Sequence, residues 1–218
     1  AHEIKNPLTP MKLNIQYLQR AKAEKKDHFD EFFDRVTQNL IEQIDTLSGI
    51  ATEFSNFAQI PKAKNEVFDL LEVLKNVCGL FEPNENLLFA FEMNQLKEVL
   101  IFADKEQLSR AFLNLIKNAI QSIPAEQMGQ ISIGVQTDDS MALVAISDNG
   151  AGISDEAQLH LFEPNFTTKT SGMGLGLSIV QNIIQSFNGK ISYQTSVTSG
   201  TTFLIEIPRY QAEKGKGK

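Results

Sequence analysis

Cysteine is nearly missing from this 218-residue chain, where Cys78 stands alone. That excludes an internal disulfide and a cysteine-based zinc cluster, and it fits a reducing compartment. A basic excess is missing too. With 20 Lys and Arg against 27 Asp and Glu the formal net charge is −7, which leaves no surplus to neutralise the phosphates of a nucleic acid. No run of about 18 apolar residues occurs, so nothing reads as a membrane span. A signal-peptide pattern is also lacking, and the abrupt start at AHEIKNPLTP reads as that of a fragment. The rest, 42% hydrophobic and 22% charged, suits a soluble globular protein of one large or two modest domains.

Two helical patterns fill the first third. Ala1, Ile4, Leu8, Met11, Ile15 and Leu18 step by three and four, a heptad seam. After the polar break KAEKKDH, a second series runs Phe29, Phe33, Val36, Leu40, Ile44, Leu47, Ala51, Phe54 and Ala58. Phe32, Ile41, Ile50 and Phe57 widen that stripe beyond what two antiparallel helices bury between themselves, so a dimeric four-helix bundle is expected. IPKAKNE reads as a linker. Beyond it the periods mix. EVFDLLEVLKNVCGLF begins strand-like and turns helical, while LLFAFEM and VLIFA read as short strands. DKEQLSRAFLNLIKNAIQSI is a helix with Asp104 as its cap and Gln107 in the fourth position of a capping box. QISIGVQT and MALVAISD look paired, SDEAQLHLF and GLGLSIVQNIIQSF helical, and GKISYQT with TTFLIEIP a closing pair of strands. Strands with helices able to cover one sheet face imply an α/β sandwich. The tail EKGKGK reads as disordered.

Chemistry concentrates in a few segments. With the seam at a and d, His2, Glu3 and Asn6 fall at b, c and f, facing solvent. Asn6 is one turn past His2 on the same face, and Glu3 is about 100° round. A neutral imidazole of pKa roughly 6.5 is a competent nucleophile near neutrality, and a neighbouring carboxylate can accept its ring proton. Pro7 removes the N–H that would bond to the carbonyl of Glu3, so a bend is expected there. The plain alternative is a helix start with an incidental histidine. NLIKNA puts Asn114 and Asn118 on one helical face, opposite Leu108, Ala111, Leu115, Ala119 and Ile123. A carboxamide oxygen there is a hard ligand suited to Mg²⁺; a solvated polar face is the other reading.

SDNGAGI follows an apolar strand and leads into a helix start, so an Asp-Asn-Gly hairpin turn competes with a ligand contact. Asp148 at the strand end can accept from an exocyclic amine such as that of adenine, with Gly150 and Gly152 allowing close approach. SGMGLGLSIV, holding Gly172, Gly174, Leu175 and Gly176, opens an amphipathic helix, and exposed N–H groups at a helix start cradle phosphate. It has neither the Lys of a Walker A loop nor a surrounding βαβ unit. FEPNFTTKTS precedes it, with Thr168 and Lys169 in reach of a phosphate. In SGTTF, Thr201 is a candidate second adenine contact, against an ordinary strand-start glycine segment. His28 and His160 lack a carboxylate–asparagine arrangement and read as structural or solvated.

In chain order, HEIKNP, NLIKNA, DNGAGI, LFEPNFTTK, GMGLGL and SGTTF resemble six motifs of the sensor histidine kinases of bacterial two-component systems: the phosphoacceptor box, N box, first glycine box, F box, second glycine box and last glycine box. The resemblance spans residues 2–208. EIKNPLTP with FTTK is most similar to the nitrogen-regulation-type branch. Asn165 and Met173 depart from the family's usual residues. The resemblance implies an α+β chain: a dimerisation and histidine-phosphotransfer hairpin at 1–61, a GHKL (Bergerat) ATP-binding domain at 62–210, and a tail at 211–218. It implies ATP-dependent autophosphorylation on His2 with Glu3 as base or orienting group, then transfer to an aspartate of a response-regulator receiver domain. Asn6 matches the position that places a hydrolytic water, implying phosphatase activity on that regulator. Asn118 matches the Mg²⁺ ligand, with Asn114 one turn before, and Asp148 with Gly152 matches the adenine site. Gly172, Gly174 and Gly176 border the phosphates, and Thr201 lies in the adenine pocket. A homodimer on the cytoplasmic side, joined to the inner membrane only through a missing N-terminal region, is expected. Two other readings stay open: a GHKL ATPase of the chaperone or mismatch-repair type, and a non-catalytic dimeric scaffold.

Overall fold

The computed structural model describes residues 2–24, 29–58, 63–81, 85–92, 96–164, 166–167, 174–197 and 199–211, with backbone only at 2–5, 46, 50 and 52–58. The chain forms two compact units, one of Ala1–Ile60 with Thr167–Leu175 and one of Pro61–Phe166 with Gly176–Lys218.

The first unit holds two helices, α1 (His2–Ala23) and α2 (Phe29–Ala58), packed on each other. α1 runs through Pro7 and Pro10, so the carbonyls of Glu3 and Asn6 lose their intrahelical donors. Ala21 and Val36 are buried. Leu8, Leu13, Ile15, Tyr17, Phe33, Ile41 and Ile44, by contrast, remain between 44% and 56% exposed. Leu8 and Ile15 share one face of α1 and Phe33, Ile41 and Ile44 one face of α2, and so many large apolar side chains left open to water point to a covering surface.

The second unit opens with β1 (Glu66–Asp69) and α3 (Leu70–Gly79), followed by β2 (Leu87–Glu92), β3 (Leu100–Ala103) and α4 (Lys105–Ser122). Then come β4 (Gly129–Thr137), β5 (Met141–Asp148), the short α5 (Asp155–Gln158), α6 (Gly176–Ser186), β6 (Lys190–Ser196) and β7 (Gly200–Pro208). Five strands make a mixed sheet in the order β2-β4-β5-β7-β6, parallel only between β2 and β4. β1 and β3 pair separately, with Val67 opposite Phe102.

Strict alternation fixes which face is covered. Ile131, Ile133 and Val135 of β4, Ala142, Val144 and Ile146 of β5, and Phe203, Ile205 and Ile207 of β7 are buried. They meet α4, whose Leu108, Ala111, Phe112, Leu115, Ile116 and Ala119 recur at helical spacing and are buried as well. Each of the Val, Leu, Ile and Phe side chains contributes about 1.5–3 kcal/mol on burial, so a one-residue slip of β5 is strongly disfavoured. That register sets where the strand's last residue, Asp148, points.

Asp104 caps α4, its Oδ1 accepting from Gln107 N–H at 3.0 Å and its Oδ2 from Lys64 N–H at 2.7 Å. The Gln107 side chain also donates through Nε2 to that carboxylate at 3.4 Å. The helix expected over SDEAQLHLF is only α5; beyond it His160 N–H donates to the Ala157 carbonyl and Glu163 N–H to that of His160, the tighter bonding of i→i+3 turns. In the β4–β5 turn, Asp138 accepts from Ser140 and Met141 N–H, each at 2.7 Å. Those backbone bonds, joined by the Ser140 hydroxyl, hold its carboxyl below the usual range. No helix among the described residues is long and apolar enough to cross a membrane.

Candidate functional site

The row Ala142, Val144, Ile146 on β5 ends in Asp148, so a carboxylate continues a core-facing series and is itself buried. Burying a carboxylate is costly unless hydrogen bonds compensate it. Here Oδ1 accepts from Gly150 N–H at 2.9 Å and from Thr201 N–H at 3.3 Å, and the Ser122 hydroxyl, 3.0 Å away, shares its one proton between this oxygen and the Ala119 carbonyl at 2.7 Å. Three separate elements, the turn after β5, the end of α4 and the start of β7, therefore fix one carboxylate.

Two glycines make this convergence possible. Gly200 has φ +83°, and a Cβ there would run into the carbonyl oxygen of Asp148. Gly152 has φ +71°, and a Cβ would strike the Ser196 carbonyl oxygen. Only glycine adopts such angles without strain while admitting a backbone neighbour so near. The competing hairpin at Asp-Asn-Gly is not formed: as the helix start after it indicates, the turn leads to α5, and β5 pairs with β7 from distant sequence.

Asn114 and Asn118 are half-buried on α4, away from its apolar row. Ser122 is four residues beyond Asn118, so Asn114, Asn118 and Ser122 form a ladder along one helix face whose last member touches Asp148. The carboxamide oxygens are hard, neutral donors of the type Mg²⁺ takes, which makes this face chemically suited to that ion.

On β6 and β7, Thr195 lies directly opposite Thr201, with the two hydroxyl oxygens 2.9 Å apart. Thr201 is buried, and Thr195 also accepts from Ile153 N–H at 2.9 Å. Gly176 begins α6, whose first N–H groups lack intrahelical acceptors.

The structure thus brings Asp148, Gly150, Gly152 and Thr201 together at one end of the sheet, with the Asn118 face leading to them. Thr168, Lys169 and Gly172 lie outside the described residues, as do the side chains of His2 and Glu3, although His2 opens α1. Gly174 (φ +63°), buried Leu175 and exposed Asn6 belong to the first unit. His160 is exposed and pairs with Glu163, Nδ1 to Oε2 at 2.9 Å. Ser122 and Thr195 were not anticipated from the sequence. The i+4 step from Asn118 signals the first; nothing local signals the second.

A strand-end carboxylate gripped by turn amides, below an asparagine-bearing helix on a mixed sheet, is the frame of an ATP-binding domain. Residues 103–211 match the family of histidine kinase-, DNA gyrase B- and HSP90-like ATPases, and the chain belongs to it. Among its relatives, sporulation kinase B of Bacillus subtilis (strain 168) is 31% identical over 218 residues, 95% of this chain and 48% of that protein. Nitrogen regulation protein NtrY of Azorhizobium caulinodans is 33% identical over 197 residues, 88% of this chain and 25% of that protein. The chain therefore spans about half or less of the length of these curated relatives. The solved catalytic domain of histidine kinase ThkA is 33% identical with a TM-score of 0.61, covering 67% of this chain and 96% of that one. ThkA solved in complex with response regulator protein TrrA aligns over 96% of this chain and 60% of that one, at 27% identity and a TM-score of 0.71.

Proposed function

We propose that this chain is the phosphotransfer and catalytic portion of an ATP-dependent protein histidine kinase. The observation that supports it most is the triply anchored Asp148 beside the Asn118 face, in a chain that opens with a helix starting at His2. In this reading residues 1–61 dimerise and carry the phosphoacceptor, residues 62–210 bind ATP, and two copies pair through the exposed apolar positions of α1 and α2 into a four-helix bundle.

Asp148 accepts an N–H from the exocyclic amine of adenine, while the turn at Gly150 and Gly152 lets the ring approach the backbone. The start of α6 at Gly176, with Gly172, Gly174, Leu175, Thr168 and Lys169, holds the phosphates. Asn118, with Asn114 a turn before it, holds Mg²⁺; that ion, when bound, neutralises phosphate charge. A ring nitrogen of His2 attacks the γ-phosphorus, and the bond from that phosphorus to the β–γ bridging oxygen breaks. ADP leaves with the electron pair, and the ring proton passes to the Glu3 carboxylate. The protein contributes positioning and electrostatics more than covalent chemistry. The phosphoryl group then moves from the His2 nitrogen to a carboxylate oxygen of a response-regulator aspartate, restoring the imidazole. Asn6 places a hydrolytic water for the reverse, phosphatase, role. The full-length protein holds this portion in the cytoplasm, anchored in the inner membrane by a preceding region.

The test is incubation with γ-labelled ATP of the chain extended at its amino terminus, beside His2→Gln. Acid-labile, alkali-stable label is expected on the former alone. Label persisting on the variant removes His2 from the mechanism, and ATP hydrolysis with no label at all makes this a plain ATPase of the same family.

A further inference from the structure

The Thr195–Thr201 pair carries an inference that rests on the ATP-binding reading and goes further, to how the base is chosen. Thr195 Oγ1 has one proton and two lone pairs. One lone pair takes the Ile153 N–H at 2.9 Å. Its proton has an acceptor in the Gly200 carbonyl at 3.3 Å, and the Thr201 hydroxyl stands 2.9 Å away. If Thr195 donates to Gly200, its second lone pair receives the Thr201 proton and all three contacts are hydrogen bonds. If it donates to Thr201 instead, the Gly200 contact is lost and the buried Thr201 proton must find another acceptor. The first arrangement satisfies more groups, and unsatisfied buried groups are the expensive ones.

We propose that Thr195 is a positioning residue that turns Thr201 into an acceptor. Thr201 N–H already donates to Asp148 Oδ1, which ties the two residues into one edge. A carboxylate and a hydroxyl lone pair side by side select an amino edge of a purine and disfavour a keto edge. Thr195 also steadies the turn that the base faces, because Ile153 hangs from its hydroxyl and Gly152 packs against the neighbouring Ser196 carbonyl. Its role is to set the direction of a neighbour's proton; it does not itself touch the nucleotide.

The experiment compares the wild-type chain, Thr195→Val and Thr195→Ser by titration calorimetry with ATP and with GTP, with melting curves alongside. Thr195→Val frees the Thr201 hydroxyl to rotate and donate to a keto oxygen. ATP affinity is expected to fall about tenfold, the scale of one hydrogen bond, with GTP affinity unchanged or raised; Thr195→Ser restores the wild-type ratio. Equal losses for both nucleotides reduce Thr195 to a structural prop and overturn the proposal, as does a valine variant with wild-type affinity and ratio. Should the valine variant not fold, Thr195→Ala against Thr195→Ser decides by the same ratio. Wild-type protein that binds neither nucleotide overturns the ATP reading itself, and this inference with it.

Discussion

Replacing Asp148 in two ways separates binding from stability, because its Oδ1 is held by protein donors while the carboxylate as a whole is proposed to take the adenine amine. Oδ1 accepts from Gly150 N–H, Thr201 N–H and the Ser122 hydroxyl. Asp148→Ala strands two buried amides, at about 1–3 kcal/mol each. The sum, about 2–6 kcal/mol, is a large part of the 5–15 kcal/mol or so that holds a typical domain together, so loss of nucleotide binding in that variant is uninformative. Asp148→Asn keeps a carbonyl oxygen in the Oδ1 position and replaces the other oxygen with an amino group. Its stability cost is expected to be smaller than that of the alanine variant, while the charge and one of the acceptors proposed for the adenine amine are lost. A hydrogen bond to a charged group contributes about 1.5–3 kcal/mol, so ATP affinity should drop roughly 10- to 150-fold. Urea denaturation gives the first quantity and calorimetric titration the second. An asparagine variant that binds ATP like wild type refutes the assignment of Asp148 to the base, and an alanine variant as stable as wild type refutes the anchoring argument.

Further outcomes follow from the same geometry. Asn118→Asp puts a charge where a neutral oxygen is expected to hold Mg²⁺; metal-dependent ATP binding and turnover should change, and identical magnesium titrations for the two proteins would remove Asn118 from that role. Gly152→Ala forces a Cβ against Ser196 at φ +71° and should cost at least about 1 kcal/mol in a thermal melt; an unchanged melting temperature contradicts the close approach. Asp138 has a depressed folded pKa, so its contribution is present above its unfolded value of about 3.9 and is lost as pH falls through the folded one. The stability gap between wild type and Asp138→Asn should accordingly shrink in acid, and a gap constant from neutral pH to about pH 2 is the contrary result. Ile41→Asp with Ile44→Asp places charge on the exposed apolar surface of α2; light scattering should report a dimer for wild type and a monomer for the variant, and a monomeric wild type ends the bundle proposal.

How much of this was legible in the sequence depends on whether a residue's partner was local. The alternation in MALVAISD and TTFLIEIP fixed the buried faces of β5 and β7, and the helical spacing of Leu108, Ala111, Leu115 and Ala119 fixed that of α4. Asp148 was found because its strand announces its end. By contrast, β1 and β3 are four residues each, too short to reveal that they pair with one another outside the main sheet. α5 came out shorter than its pattern: past Gln158 the backbone bonds tighten to i→i+3, and Leu159, one of the apolar residues of that pattern, is left 77% exposed. Ser122 was within reach, one helical turn past Asn118. Thr195 was not, because only the β6–β7 register brings it opposite Thr201.

The final strand supplies both the backbone donor at Thr201 and the glycine that lets Asp148 draw near. A polypeptide cut short before residue 200 would keep its aspartate and both asparagines yet have no assembled pocket, so competence should arrive all at once as the last segment docks. Nucleotide, by favouring only the completed form, would then act as a latch on that docking, raising resistance to proteolysis in proportion to its concentration.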